Sequence, residues 1–202
     1  GALTVLRAVG NQSLIPNFVH SLKDDSDNVR LEAVKALAEI DGPDSIDPLI
    51  DVARKDRDPY IRFEAVRQLR RIGGGYSQVL DLRLSALKDS NRDVRSQSAW
   101  LLGNFQDERS IRPLLNAMAD DHWSVRESAE HALMNFGRKA ITHLLKALKS
   151  DRWTTRFRAA RLLGEIGDER VIEALEKILQ NKEEHRKVRK VVQDALDKLM
   201  KK

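Results

Sequence analysis

Apolar side chains recur along this chain at the three- and four-residue spacing of helices that bury one side. Ile111, Leu114, Leu115 and Met118, for example, fall on one face of a helix. A short turn rich in Asp, Ser or Asn follows each such segment, and a second segment of helical periodicity follows the turn. The pattern predicts a nearly all-helical protein built from pairs of helices.

The second helix of each pair carries a recurring motif, best seen in the segment RFRAARLLGEIGD that begins at Arg156. A core-facing residue precedes the Arg, Ala follows three residues later, Leu seven later, and a large apolar residue ten later. The Arg recurs every 30–33 residues, and self-similarity at this period predicts a solenoid. The motif arginines are Arg30, Arg62, Arg95, Arg126, Arg156 and Arg189.

These copies predict a single array of about six two-helix repeats. We place the repeats at about 12–41, 43–73, 76–106, 108–137, 138–167 and 169–200. Residues 1–10 align with the end of a second helix, so we interpret them as the remnant of a preceding repeat. Three successive glycines at 73–75 predict a bend in the array.

Glycine and aspartate mark the ends of several predicted helices. Gly73, Gly137 and Gly167 stand where a second helix needs a residue at positive φ in order to stop. Asp41, Asp107 and Asp168 stand where a side chain can cap the start of the next helix.

The pattern V-R-x-x-A-x-x-L-G-x-I-G-D resembles HEAT repeats, and is most similar to the short HEAT-like repeats of the PBS-lyase type. The resemblance extends over the whole chain and implies an all-α, right-handed α-solenoid whose second helices line the concave side. Known members of the family include adaptors, lyase subunits, a hydroxylase and DNA glycosylases, so the resemblance leaves the function open. The chain has no His-Glu dipeptide, which argues against deoxyhypusine hydroxylase activity.

Charge is uneven along the chain. The net charge of +5 comes from residues 102–202, and residues 138–161 contain eight basic side chains but a single acid, Asp151. This stretch is a candidate site for an anionic partner, nucleic acid included, although a solvated basic face explains it as well.

The sequence contains no motif that indicates catalysis. There is no cysteine, and no clustered metal ligands, phosphate-binding loop or nucleophile motif is present. We therefore expect no catalytic residue, no metal and no cofactor. No apolar run is long enough to span a membrane, and we expect the protein in the cytoplasm.

Two repeated features have a structural and a functional interpretation. The motif arginines form either an anion-binding ladder or, as their recurrence favours, links between the acidic turns of neighbouring repeats. Trp123 and Trp153 both stand three residues before a motif Arg, which favours packing at the turn over contact with a ligand.

The candidate binding face follows from the helix phase. With the motif Arg as position zero, positions −1, +3, +6, +7 and +10 are predicted to be core, and +2, +5 and +9 face away from it, with +1 at the edge. Trp100 lies at the centre of this face, although it also has the size to fill a gap beside Ser98. The predicted partner-binding residues are Phe63, Arg67, Arg71, Gln97, Trp100, Asn104, His131, Asn135, Phe157 and Arg161.

These features predict a non-catalytic scaffold that binds a protein or peptide on its concave face. The first alternative is nucleic-acid binding through the basic C-terminal half. The second is an accessory subunit of a bilin-lyase-like enzyme. Basic and acidic residues nearly balance on the predicted face, which favours a protein or peptide over nucleic acid.

Overall fold

A computed structural model describes residues 12–40, 43–72 and 76–201. Within these ranges the chain forms helices and connecting turns, with no strand. The predicted remnant at residues 1–10, the predicted bend at glycines 73–75 and the predicted helix ends at Asp41 and Gly73 lie outside the described residues.

The helices occur in pairs, as the periodicity predicts. The first helices are α1 (Ile15–Ser21), α3 (Ile46–Lys55), α5 (Ser77–Ala86), α7 (Ile111–Ala117), α9 (Ile141–Ala147) and α11 (Ile172–Gln180). The second helices are α2 (Asp27–Glu39), α4 (Pro59–Ile72), α6 (Arg92–Phe105), α8 (Trp123–Phe136), α10 (Trp153–Ile166) and α12 (Arg186–Leu199).

The contacts divide the chain into two compact units, which we call the N-unit (Gly1–Leu101) and the C-unit (Leu102–Lys202). In the N-unit, α1 packs on α2 and α3 on α4, while α2 packs on α4 and α3 on α5. In the C-unit, α7 packs on α8, α9 on α10 and α11 on α12, while α8, α10 and α12 pack in succession. Within each unit, therefore, the second helices form one layer and the first helices form another.

The buried residues follow the predicted helix phase. In α8 the five predicted core positions are Val125, Ala129, Ala132, Leu133 and Phe136, and all are at most 4% exposed. The same positions of α12 are buried as well. Position +4 is also buried in five of the six second helices, because it lies beside the predicted strip.

Glycine allows two pairs of second helices to approach closely. A Cβ on Gly103 would lie 2.5 Å from the Cα of Ala132, and a Cβ on Gly164 would lie 2.5 Å from the Cβ of Ala195. Both glycines stand eight residues after a motif Arg. Any larger residue at these positions would push the layer of second helices apart.

The predicted helix ends in the C-unit are confirmed. Gly167 ends α10 in the left-handed conformation with φ of 73°, and Gly137 follows α8 with φ of 52°. The Asp107 carboxylate accepts a hydrogen bond from the backbone N–H of Arg109 at 2.9 Å, and the Asp168 carboxylate accepts one from Arg170 at 3.1 Å. Each cap opens a short 3-10 turn that leads into the next first helix.

Candidate partner-binding surface

Three motif arginines join the turns of successive repeats. In each, Nε and Nη2 donate to the two oxygens of one carboxylate in the next turn. These pairs, with the Nε–O and Nη2–O distances, are Arg30 with Asp56 (2.9 and 3.1 Å), Arg62 with Asp89 (2.9 and 2.7 Å) and Arg156 with Glu184 (2.7 and 2.6 Å).

The remaining guanidinium nitrogen binds the arginine's own turn. In five repeats Nη1 donates to the backbone carbonyl six residues earlier. These carbonyls belong to Asp24, Asp56, Asp89, Asp120 and Ser150, at 2.6–2.9 Å. The structural interpretation of the arginine row is therefore confirmed for the three complete pairs, each of which joins two turns.

Electrostatics within the pairs keeps both partners charged. The hydrogen bonds from Arg156 hold the pKa of Glu184 below its ordinary value, and those to Glu184 raise the pKa of Arg156. The Glu184 side chain is only 4% exposed, so its charge depends on this partner.

The N-unit contains five of the predicted contact residues. Arg67 is exposed on α4, whereas Phe63 of α4 and Gln97 and Trp100 of α6 are half-buried. The side chain of Arg71 lies outside the described part of the chain. No finding tests whether this group binds a partner, and that role stays a prediction.

Trp100 is not wholly turned towards solvent. Its side chain packs against the hydrophobic core of the N-unit, and the guanidinium of Arg70 lies 5.9 Å from the centre of its ring. The expectation of a fully outward Trp100 is therefore wrong. Its neighbour two positions earlier, Ser98, is buried and donates a hydrogen bond to the carbonyl of Arg83.

A buried carboxylate neutralises Arg67. Glu64, only 1% exposed, accepts hydrogen bonds from Arg67 Nε at 2.9 Å and Nη2 at 2.7 Å, and from Gln68 at 2.6 Å. Burial alone would raise the pKa of Glu64, but these hydrogen bonds and the Arg67 charge bring it below the ordinary value. Position +2, where Glu64 stands, does not face solvent in this helix, contrary to the predicted phase.

The C-unit contains the other five predicted contact residues. Asn104 and His131 are exposed, whereas Asn135, Phe157 and Arg161 are half-buried. The backbone carbonyl of Asn135 accepts a hydrogen bond from the Gln106 side chain at 2.8 Å. Phe157 meets the ring of Trp153 edge-on, with 6.5 Å between the ring centres.

Arg161 is held by a second buried carboxylate. Glu130 of α8 is 7% exposed, and its two oxygens accept hydrogen bonds from Arg158 and Arg161 of α10. Arg161 also donates to Glu165 at 3.1 Å. Because its charge is already satisfied within the protein, Arg161 is less available to a partner than the sequence suggests.

The sequence carries a weak signal for both buried acids. Four residues after the motif Arg, at position +4, most second helices have a small or branched apolar residue. Glu130 is the acidic residue at this position. Glu64 is followed by Arg67 and Gln68 one helical turn later. Neither signal identifies the arginines that reach Glu130 from the following helix.

Internal ion pairs absorb most of the basic stretch at 138–161. Arg138 pairs with Asp168, Lys139 with Glu108, and Arg156 with Glu184. Arg158 and Arg161 are held by Glu130. In this part of the chain, which the structure describes throughout, the basic residues outside such pairs are Lys146, Lys149 and Arg152.

The two repeated tryptophans differ in their surroundings. The ring of Trp153 stacks on His185 with 4.0 Å between centres, and Lys187 lies 5.5 Å from the same ring. Trp123 is 62% exposed, although His122 lies beside it. The predicted packing role is confirmed for Trp153 and wrong for Trp123.

The described ranges contain neither a cluster of metal ligands nor a helix suited to a membrane. No group of His, Asp and Glu in residues 12–40, 43–72 and 76–201 is arranged to hold a metal ion. Among the same residues, no helix combines the length and the apolar character needed to cross a membrane.

Comparison with known proteins gives a family and several structural relatives. A family model described as HEAT repeats matches residues 1–70, 46–134, 80–153 and 132–197. No curated protein matches the chain. The E. coli protein YibA is similar in structure with a TM-score of 0.60 and 16% identity, over 99% of this chain and 86% of that one.

Two further relatives are an engineered protein and a transport receptor complex. The engineered protein has a TM-score of 0.53 and 22% identity, and the match covers 95% of this chain and all of the other. The structure of Kap95p with RanGDP gives a TM-score of 0.66 and 16% identity over 92% of this chain, which spans only 30% of that one. At such identities the likeness concerns the fold alone.

The matches to the family model together extend over residues 1–197, nearly the whole chain, and each match contains several of the helices described above. The relatives are α-solenoid repeat proteins. The chain is an all-α solenoid that belongs to the HEAT-repeat family.

Proposed function

We propose that this protein is a protein-interaction scaffold without catalysis of its own. A protein or peptide partner binds the solvent-facing side of the second helices, which is the concave side in the HEAT arrangement. The HEAT fold commonly serves this purpose, and solved structures of Kap95p show it with RanGDP and with Nup1. We further propose that the protein acts in the cytoplasm.

The observation that carries the proposal is the aromatic surface of the N-unit. Trp100 and Phe63 are half-buried against the core, which holds each ring in place while part of it meets solvent. Tyr60, 58% exposed, stacks on Phe63 with 6.2 Å between ring centres. Rigid aromatic side chains that lose little entropy on binding are typical anchors of protein interfaces.

The charged residues of the face contribute less than the aromatic ones. The guanidinium of Arg67 already forms two hydrogen bonds with Glu64, and the oxygens of Glu130 hold Arg161. A partner carboxylate would have to compete with these internal pairs. We therefore propose that Trp100 supplies most of the affinity and that Arg67, in the same unit, sets the orientation of the partner.

The test compares three variants of the intact protein. We expect Trp100→Ala to weaken partner binding at least about thirtyfold, because truncating an aromatic anchor commonly costs about 2 kcal/mol or more. Trp100→Leu keeps an apolar side chain against the core, so it separates loss of the ring from loss of folding. His20→Ala changes an exposed residue of the first-helix layer in the same unit and serves as the control.

The partner is captured from native lysate with the wild-type protein, identified, and titrated by calorimetry against each variant. Thermal melts are recorded in parallel. Loss of binding in both Trp100 variants, with a normal melt for Trp100→Leu and normal binding by His20→Ala, supports the proposal. If Trp100→Leu binds as tightly as the wild type, Trp100 is a core residue and the site is wrong.

A further inference from the structure

The connection that follows Arg126 differs from the three complete arginine pairs described above. Asp56, Asp89 and Glu184 supply the carboxylates that receive Arg30, Arg62 and Arg156 from the preceding repeat. The residue in the corresponding turn after Arg126 is Ser150, whose hydroxyl accepts a hydrogen bond from the backbone N–H of Arg152 at 3.3 Å. A serine hydroxyl is too short and too weak an acceptor to replace a carboxylate here.

Among the described residues, two of the three guanidinium nitrogens of Arg126 are therefore without a partner. Its Nη1 donates to the carbonyls of Asp120 and Asp121 at 2.8 and 2.9 Å, which holds the group in the same orientation as in the other repeats. In the described C-unit, Nε and Nη2 have no hydrogen-bond partner and no carboxylate within ion-pair distance. The side chain is half-buried, so a fixed two-donor fork is presented at the surface.

The surroundings of this fork are aromatic and basic. Trp123, three residues before Arg126 and 62% exposed, begins the same helix. Lys149 and Arg152 flank Ser150, are exposed, and form no ion pair in this described stretch. Arg152 also stands where the following repeat has His185, the residue that stacks on Trp153.

We propose that this surface, formed by Trp123, Arg126, Lys149, Ser150 and Arg152, docks an acidic segment of a partner protein. An Asp or Glu of the partner accepts hydrogen bonds from Nε and Nη2 of Arg126. Its carboxylate takes the place that a carboxylate of the chain itself takes in the three complete pairs. An apolar side chain next to that acid covers the ring of Trp123. Lys149 and Arg152 attract further acidic residues of the same segment.

Local charge favours an acidic peptide over nucleic acid. The exposed carboxylates of Asp121 and Asp151 lie in the two turns that frame the fork. A phosphate backbone carries a charge at every nucleotide and would meet these carboxylates, whereas a peptide can place acidic residues opposite Arg126, Lys149 and Arg152 and uncharged residues opposite Asp121 and Asp151. The planar fork also matches one carboxylate in two-point geometry.

The surface is independent of the function proposed above. It lies at the interhelical turns of the C-unit, whereas Trp100 and its neighbours belong to the N-unit. Either site stands if the other fails.

The first experiment supplies the missing carboxylate from within the chain. In Ser150→Asp we expect the new carboxylate to accept hydrogen bonds from Nε and Nη2 of Arg126. This added ion pair should raise the melting temperature by a few degrees. The aspartate also keeps the turn, because Asp56 and Asp89 accept the backbone N–H two residues later in the same way. Thr142→Asp introduces the same charge at an exposed position near the start of α9 and is the matched control.

The second experiment measures docking directly. Random short peptides displayed on phage are selected against the wild-type protein, and the best binder is synthesised and titrated against each variant. We expect an Asp or Glu beside an aromatic or aliphatic residue in the selected peptides. Ser150→Asp and Arg126→Gln should each weaken binding of the synthetic peptide at least about tenfold. Thr142→Asp should change the affinity for the peptide little.

The outcomes decide the proposal. Peptides that lose affinity with Ser150→Asp but not with Thr142→Asp support it. It is overturned if selection yields no acidic peptide, if both aspartate variants weaken binding equally, or if Ser150→Asp leaves both stability and binding unchanged. A DNA duplex that displaces the peptide and binds more tightly at physiological salt would reassign the surface to nucleic acid and would also overturn it.

Discussion

The close approach of the second helices at Gly164 allows a quantitative test of the packing. In Gly164→Ala the new methyl group would lie 2.5 Å from the Cβ of Ala195 and 3.0 Å from its Cα. Carbon atoms pack best about 3.5–4.0 Å apart, so α10 and α12 have to separate by roughly 1 Å. Overpacking of this kind lowers the free energy of unfolding by about 1–3 kcal/mol. The higher helix propensity of alanine offsets up to about 1 kcal/mol of this loss. We expect a net loss of about 1–2 kcal/mol.

A second substitution separates this clash from other effects. Ala195→Gly in the Gly164→Ala background removes the methyl group at 2.5 Å and leaves only the Cα at 3.0 Å. We therefore expect a coupling energy of about 1–2 kcal/mol between the two positions. The corresponding pair at Gly103 behaves differently, because there the Cα of Ala132 itself lies 2.5 Å from the new methyl group. Ala132→Gly should rescue Gly103→Ala poorly.

The measurement is urea denaturation followed by circular dichroism for each single and double variant. Repeat proteins can unfold in steps, so hydrogen exchange of α10 and α12 is recorded as well to locate the loss. Additive effects of Gly164→Ala and Ala195→Gly, or equal rescue at both glycines, would refute the close-approach argument.

Three further predictions concern the core and the ion pairs. Leu163→Ala should lower the free energy of unfolding by about 2–5 kcal/mol, as removal of a fully buried Leu does. Arg161→Ala should cost about 1–2 kcal/mol, because Glu130 loses one of two donors, and denaturant melts that show no loss would argue against this buried clamp. The pKa of Glu184 is depressed in the folded protein, so its stabilising contribution is present above the unfolded value and lost as pH falls through the folded one. The stability difference between wild type and Glu184→Gln should hold near neutral pH and shrink below about pH 4.3, as urea melts across that range would show, whereas a constant difference would contradict the pairing.

The sequence by itself determined the helix pairs, the core positions and the linking role of the motif arginines. Each of these depends on contacts within one helix or on a contact that recurs in several copies, so periodicity is enough to reveal it. Gly167 and Asp168 are of this kind, because a helix end needs a positive φ and a capping side chain whatever lies around it. So are Leu163 and Ala159, which recur at the same place in the period.

The tertiary structure alone decided the features that depend on the neighbouring repeat. Trp123 and Trp153 share one position in the period, yet only Trp153 is covered, because the next repeat presents His185 to it and an arginine at the corresponding place after Trp123. Glu130 becomes a buried acid because α10 brings Arg158 and Arg161 to it. These outcomes depend on which side chains two helices place against each other, and the pattern of a single helix does not contain that information.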